Sequence, residues 1–184
     1  MTKSYSDNLK IKDDWIFIGK NVAPIKIKIF SSFTCPHCAN FHMDVVPKIK
    51  KNYVDSGKVQ LIFLDFPLDQ AAFNASKLLH CTDKSKQMNF MNLIYENQIK
   101  WANGSNINEI NENLKEIVEN LGIDSIKFDQ CLINESISDK ILNGRIDSHQ
   151  KYNINSTPTI VINEKKLEDG SDFKNIKEKI EKLI

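Results

Sequence analysis

The chain has 184 residues, 41% hydrophobic and 27% charged, with 25 Lys and Arg against 24 Asp and Glu and a formal net charge of +1. That length suits one domain, or one domain carrying an insertion, and it can bury a core without help from metal or crosslinks. Balanced, interleaved charge offers no broad cationic surface for nucleic acid or an anionic membrane, and no apolar run reaches the length of a membrane span.

Residues 1–14 are polar and expected to be loose. Trp15–Ile18 is a short apolar patch with charges on both sides, suited to an edge strand and too short for a signal peptide. On that reading the chain is cytosolic, or a processed form given a new Met1. Ile25–Phe30 reads Ile-Lys-Ile-Lys-Ile-Phe, the period-two pattern of a strand. A helix is expected from Cys35 to about Tyr53, with Phe41, Val45, Ile49 and Tyr53 at helical spacing and Pro47 kinking it. Val59–Phe66 is nearly continuous in apolar residues, as a strand buried on both faces would be. Strand, helix, strand in that order reads as a right-handed βαβ unit.

From 69 to 152 the pattern is helical throughout. One helix carries Phe73, Leu78 and Leu79, and a second carries Phe90, Met91, Ile94 and Trp101. A third starts at Asn106, where Glu109 gives capping-box spacing, and stops at Gly122. A short fourth covers Asp124–Leu132, and a fifth begins near Ser138. Strand character returns at Thr159–Ile162, with a second short strand at Lys166–Glu168. A last helix runs from Asp172, its apolar stripe being Phe173, Ile176, Ile180 and Ile184. The layout predicts an α/β fold whose ends, residues 1–68 and 153–184, join into one sheet, with residues 69–152 as a helical insertion.

The chemistry concentrates in Cys35-Pro36-His37-Cys38. Positions i and i+3 share a helix face, with α-carbons roughly 5 Å apart, inside the disulfide window. The pair can open and close with little backbone movement. Cys35 falls at the helix N-terminus, where free N–H groups and the helix dipole favour its thiolate. Pro36 fits the first helical position, and His37 brings a donor or a positive charge near the sulfur. A stabilised thiolate stabilises the reduced form and makes the disulfide a strong oxidant. Cys38, one turn deeper, is the resolving cysteine. A zinc site is the competing reading, although no second CxxC occurs and Pro36 and His37 suit a helix start better than a zinc knuckle; inert cysteines are a third. Thr157-Pro158 opens a strand, where a missing ladder donor is tolerated and a cis bond is plausible. Beside the cysteines, that backbone would pair with an extended substrate; alone, it reads as an ordinary strand-start proline.

The segments FSSFTCPHCANFH, YVDSGKVQLIFLDFPLDQAAFNAS and NSTPTIVIN together resemble the DsbA family of thiol:disulfide oxidoreductases. The resemblance covers Ile25 to the C-terminus. It implies a thioredoxin-like fold with a central mixed sheet and an inserted all-helical domain. It implies Cys35 as nucleophile, Cys38 as buried partner, and Thr157 and Pro158 as a cis-proline loop facing them, with Pro36 and His37 between the cysteines completing the catalytic set. No metal or cofactor is implied. Such a protein would act in the bacterial periplasm, its signal peptide removed. As a monomer it would donate its disulfide to folding secreted proteins and be reoxidised by a membrane partner of the DsbB type. A disulfide isomerase or reductase of the same fold is the alternative, then a zinc- or partner-binding module, then a cytosolic reductase.

Departures from the family are local. Many relatives carry an acid six residues before the first cysteine, where this chain has Ile29. Another acid often found four residues after the second cysteine is His42 here, which leaves proton transfer at Cys38 to water or to His42. Thr157 stands where well-known oxidases have valine, and Ser156 where glycine is common. Family members with a second, non-catalytic cysteine pair in the insertion imply a Cys81–Cys131 disulfide, against the alternative of two free buried thiols. His80 and His149 read as surface or hydrogen-bonded residues. The stripe from Phe90 to Trp101 reads as helix core, with part of it available to border a peptide groove beside Cys35.

Overall fold

A computed structural model describes residues 15–184; the looseness expected for residues 1–14 falls outside them. Five strands form one mixed sheet in the order β1-β3-β2-β4-β5: β1 Ile16–Ile18, β2 Ile25–Ser31, β3 Val59–Asp65, β4 Thr159–Ile162 and β5 Lys165–Lys166. Central β2 runs parallel to β3, pairing Ile29 with Phe63, and antiparallel to β4, pairing Ile29 with Ile160. The register ends with Phe30 opposite Thr159, so the residues just before β4 arrive beside the loop that leaves β2.

That loop leads into helix α1, residues 36–54, whose hydrogen-bond ladder changes pitch along its length. π-Helical turns at Phe41–Val45 and Lys50–Val54 alternate with α-helical Pro36–Asn40 and Val46–Ile49. The Val46 N–H bonds to the Phe41 carbonyl, five residues back. Pro47 follows at the start of an α-helical segment, where its missing N–H does least harm. The wide turn rotates the inward face by one residue. Val46, rather than the expected Val45, is buried with Phe41, Ile49 and Tyr53.

The helices that follow are α2 Gln70–Cys81, α3 Gln87–Glu96, α4 Gln98–Trp101, α5 Ile107–Glu119, α6 Ser125–Leu132 and α7 Glu135–Tyr152; α8, Phe173–Glu181, comes after β5. The helix expected from Phe90 through Trp101 is broken at Asn97, and the Trp101 indole N–H bonds back to the Ile94 carbonyl across the break. Asn106 caps α5 through the N–H groups of Asn108 and Glu109, while Glu109 reaches back to the Ser105 N–H. Helix α7 starts at Glu135, three residues before the expected Ser138, because Asn134 accepts from the Ile137 N–H and caps it. The last short strand is Lys165–Lys166, earlier than Lys166–Glu168, since a tight turn with positive φ at Asn163 and Glu164 reverses the chain at once.

A continuous set of buried side chains joins Ile25, Ile27 and Ile29 of the sheet to Leu78, Phe90, Ile94, Trp101 and Leu114 of the helices between β3 and β4. Phe90 and Ile94 are fully buried, and each such side chain contributes about 1.5–3 kcal/mol. The sheet and the insertion therefore share a core. Phe30, Phe66, Ile154 and Val161 form a smaller cluster on the other side, with Tyr152 of α7 packed against it.

Candidate active site

Cys35 occupies the N-cap of α1 with φ −79° and ψ 118°, and Pro36 is the first helical residue. Cys38 lies one turn in, 1% exposed against 8% for Cys35. The two residues come within 3.4 Å of each other and are present as free thiols. The Cys35 carbonyl accepts from the N–H groups of Cys38 and Ala39. The Cys35 thiol reaches the Thr157 carbonyl at 3.3 Å, and the Thr157–Pro158 peptide is cis. Residues 122 apart in sequence thus meet because β2 and β4 pair.

Burial pushes the Cys38 thiol up to about 12, opposed by the Thr157 hydroxyl and the Ser32 backbone. The Thr157 hydroxyl is near enough to exert that pull yet completes no hydrogen bond, and its oxygen is buried. Cys38 is therefore a neutral thiol at ordinary pH. Around it lie aromatic rings. Tyr95 tilts against Phe33 at 5.0 Å between centroids and against His42 at 4.8 Å. Burial, then the neighbouring Cys38, raise the Tyr95 phenol well above its usual value. His42 is 5% exposed, and its Nε2 meets Asn92 Oδ1 at 2.7 Å. Burial lowers its basicity, against the pull of Asn92, so it stays neutral into mildly acidic conditions.

His37 is exposed beside the cysteines, on a groove of about 390 Å³ lined also by Phe41, Asp44, Thr157, Pro158 and Asp172. A larger cleft of about 520 Å³ opens between the sheet and α7, lined by Lys28, Phe30, Asp65 and Tyr152, and no cysteine reaches it. The smaller groove is the one bordered by neighbours of the cysteine pair, His37 in sequence and Thr157 in space.

Two residues of the insertion hold the Cys35 loop. Asp69 caps α2 through the Ala72 N–H with one oxygen and accepts from the Thr34 hydroxyl with the other, at 2.6 Å. Its capping role was readable from its place before a helical stretch; its bond to Thr34 was not. Gln98 donates from Nε2 to the carbonyls of Phe33, at 2.7 Å, and Cys35, at 3.0 Å. Nothing in the local pattern singles it out.

A disulfide joins Cys81, at the end of α2, to Cys131 in α6. His80 Nε2 meets Asp65 Oδ2 at 2.6 Å, and His149 Nδ1 meets the Ile154 carbonyl oxygen at 2.6 Å. Burial acts to raise the Asp65 carboxyl, but His80, Ser76 and Lys140 outweigh it and hold it below its usual value. Among the described residues no three His, Cys, Asp or Glu side chains are grouped to hold a metal, and no helix is long and apolar enough to cross a membrane.

A family model described as Thioredoxin matches residues 12–182. The probable disulfide bond formation protein D of Bacillus cereus is 30% identical over 175 residues, 91% of this chain and 77% of that one. The chain belongs to the DsbA family of thiol:disulfide oxidoreductases. It is also 27% identical to a putative protein-disulfide oxidoreductase of Rickettsia prowazekii, over 95% of this chain and 63% of that longer protein. Among solved structures, Wolbachia pipientis alpha-DsbA1 superposes with a TM-score of 0.84 at 31% identity, covering 95% of this chain and 93% of that one. The mixed sheet with helices between β3 and β4 is thus the DsbA form of the thioredoxin fold, and the chain is a protein-disulfide oxidoreductase.

Proposed function

We propose that this DsbA-family protein is a dithiol oxidase that donates a Cys35–Cys38 disulfide to folding secreted proteins in the bacterial periplasm. The observation that carries the reading is the pairing of two unlike sulfurs. Cys35 sits at a helix N-terminus against the Thr157 carbonyl, and Cys38 is buried and neutral. In the oxidised form, a substrate thiolate attacks Cys35 Sγ. The Cys35–Cys38 bond breaks, the electron pair leaves on Cys38, and Cys38 takes a proton. A second substrate thiolate then attacks the substrate sulfur of the mixed disulfide and releases Cys35 Sγ with the electron pair of the broken bond. The substrate is oxidised by two electrons and the enzyme is reduced by two. A thiol-accepting membrane partner of the DsbB type takes those electrons back, and the enzyme works as a monomer.

Within this reading His37, Asp44 and the backbone around Thr157 border the bound peptide, which lies extended along the groove. The test is oxidation of reduced, unfolded ribonuclease, together with the equilibrium against glutathione. Cys35→Ser is expected to abolish the activity, and Cys38→Ser to accumulate mixed disulfides with the substrate. Strong reactivation of scrambled ribonuclease by the monomer would instead assign the site to isomerisation, and stoichiometric zinc in the purified protein would assign it to metal binding.

A further inference from the structure

The loop carrying the nucleophile exposes two main-chain acceptors to the insertion. No backbone N–H among the described residues donates to the Phe33 carbonyl outside the regular elements. The Cys35 carbonyl accepts two helical N–H groups and still has a third donor aimed at it. Both take their remaining hydrogen bond from one group, the Gln98 carboxamide, whose Nε2 carries two hydrogens and contacts both oxygens. Gln98 is 7% exposed and begins α4 immediately after the break at Asn97. Without that break, the helix through Phe90 and Trp101 would continue in its original direction and Gln98 would sit elsewhere. Trp101 closes the break through its indole N–H and is itself fully buried, so the carboxamide is delivered from a fixed position.

We propose that Gln98 is a positioning residue for Cys35, and that its two N–H groups favour the reduced form of the site. Unpaired carbonyl oxygens in the loop that carries a sulfur disfavour the build-up of negative charge on it. A donor shared between them offsets their partial charge and holds Cys35 at the N-cap, with its thiol against Thr157. Removing the donor leaves the buried Phe33 carbonyl unpaired and takes one of three donors from the Cys35 carbonyl, in the loop whose sulfur receives the electron pair on reduction. The cost falls more on the reduced form, in which Cys35 Sγ has been released with the electron pair, than on the disulfide form, in which that sulfur is bonded to Cys38. The inserted helices therefore contribute to oxidising strength through a hydrogen bond, not only through enclosure.

This inference rests on Cys35 being the exchanging sulfur. The test compares wild type with Gln98→Met, which keeps length and loses both donors, and Gln98→Glu, which sets acceptor oxygens against the carbonyls. The readouts are the glutathione equilibrium and the melting temperatures of the oxidised and reduced forms. Both variants are expected to be about tenfold weaker oxidants, about 30 mV for a two-electron couple, with the reduced form losing more thermal stability than the oxidised form. An unchanged equilibrium, with both forms destabilised equally, would make Gln98 merely structural and overturn the proposal. Should neither variant fold, the wild-type protein decides: the Gln98 side-chain amide signals in nitrogen-15 spectra are expected to be two distinct, exchange-protected protons that shift on reduction. Averaged or unshifted signals overturn it. A wild type that fails to equilibrate with glutathione at all would refute the oxidase reading instead, a result separable from any effect of Gln98.

Discussion

The Cys35 thiol and the Thr157 carbonyl, 122 residues apart in sequence, stand 3.3 Å from each other in a hydrogen bond. The same residue that offers this carbonyl turns its hydroxyl toward the second sulfur, where it is buried without a partner. Thr157 therefore touches both halves of the redox pair by different atoms, and its substitution separates the two effects.

Thr157→Val replaces an unsatisfied buried hydroxyl by a methyl group and leaves the carbonyl in place. An unpaired buried hydroxyl costs about 1–3 kcal/mol. The reduced protein is expected to gain about 1 kcal/mol in urea unfolding. The Cys38 thiol loses one of the pulls that lowers it and is expected to titrate higher still, read by alkylation of Cys38 across alkaline pH. A loss of stability would show that the hydroxyl is satisfied in solution.

Glu164 governs acid stability on the other side of the sheet. Burial acts to raise its carboxyl, but hydrogen bonds from Lys151, Lys28 and Tyr152 bring it down to about 2. A depressed folded value contributes stability that is present above the ordinary carboxylate range and is lost as pH falls toward 2. Wild type is expected to lose stability progressively from about pH 4.5 to pH 2, while Glu164→Gln, less stable at neutral pH, shows a shallower decline through that window. Parallel denaturant midpoints for the two proteins would remove Glu164 from the account.

His42 acts with the same sign at a higher pH. Burial lowers its folded value below the ordinary 6.5, so the unfolded chain binds a proton that the folded chain refuses. Stability is full above about pH 6.5 and falls as the solution becomes more acidic. In His42→Phe that dependence is expected to be flatter between pH 7 and pH 5, in melting temperatures taken at constant ionic strength. If His42 also relays the Cys38 proton, the variant resolves mixed disulfides more slowly at neutral pH.

Cys81 and Cys131 close a loop with a sequence separation of 50. In the chain-entropy picture such a crosslink stabilises by up to about 4 kcal/mol. The double variant Cys81→Ser with Cys131→Ser is expected to melt at lower temperature. Because α2 runs from Asp69, which holds Thr34, to Cys81, its glutathione equilibrium is expected to move as well. Unchanged values of both would detach this pair from stability and from the reactive site.

Much of the fold is legible locally. Ile25 through Phe30 announces a strand by alternation, and Asp172 announces a helix by capping it through the Asn175 N–H. Cys35 and Cys38 carry their chemistry in their spacing. What stays hidden depends on contacts distant in sequence. Lys28 reads as the outward half of an alternating strand, yet it is 3% exposed and bonded to Tyr152 and Glu164, because α7 covers that face too. The π-turn that moves Val46 inward has no marker in the helical stripe. Gln98 is one polar residue among many until Phe33 and Cys35 are placed opposite it.

The pairing of β2 with β4 also fixes when this catalyst comes into being. Cys35 precedes its facing loop in the chain, and the helices between β3 and β4 separate the two. Until β4 docks on β2, Cys35 therefore lacks the Thr157 carbonyl that it faces in the finished fold.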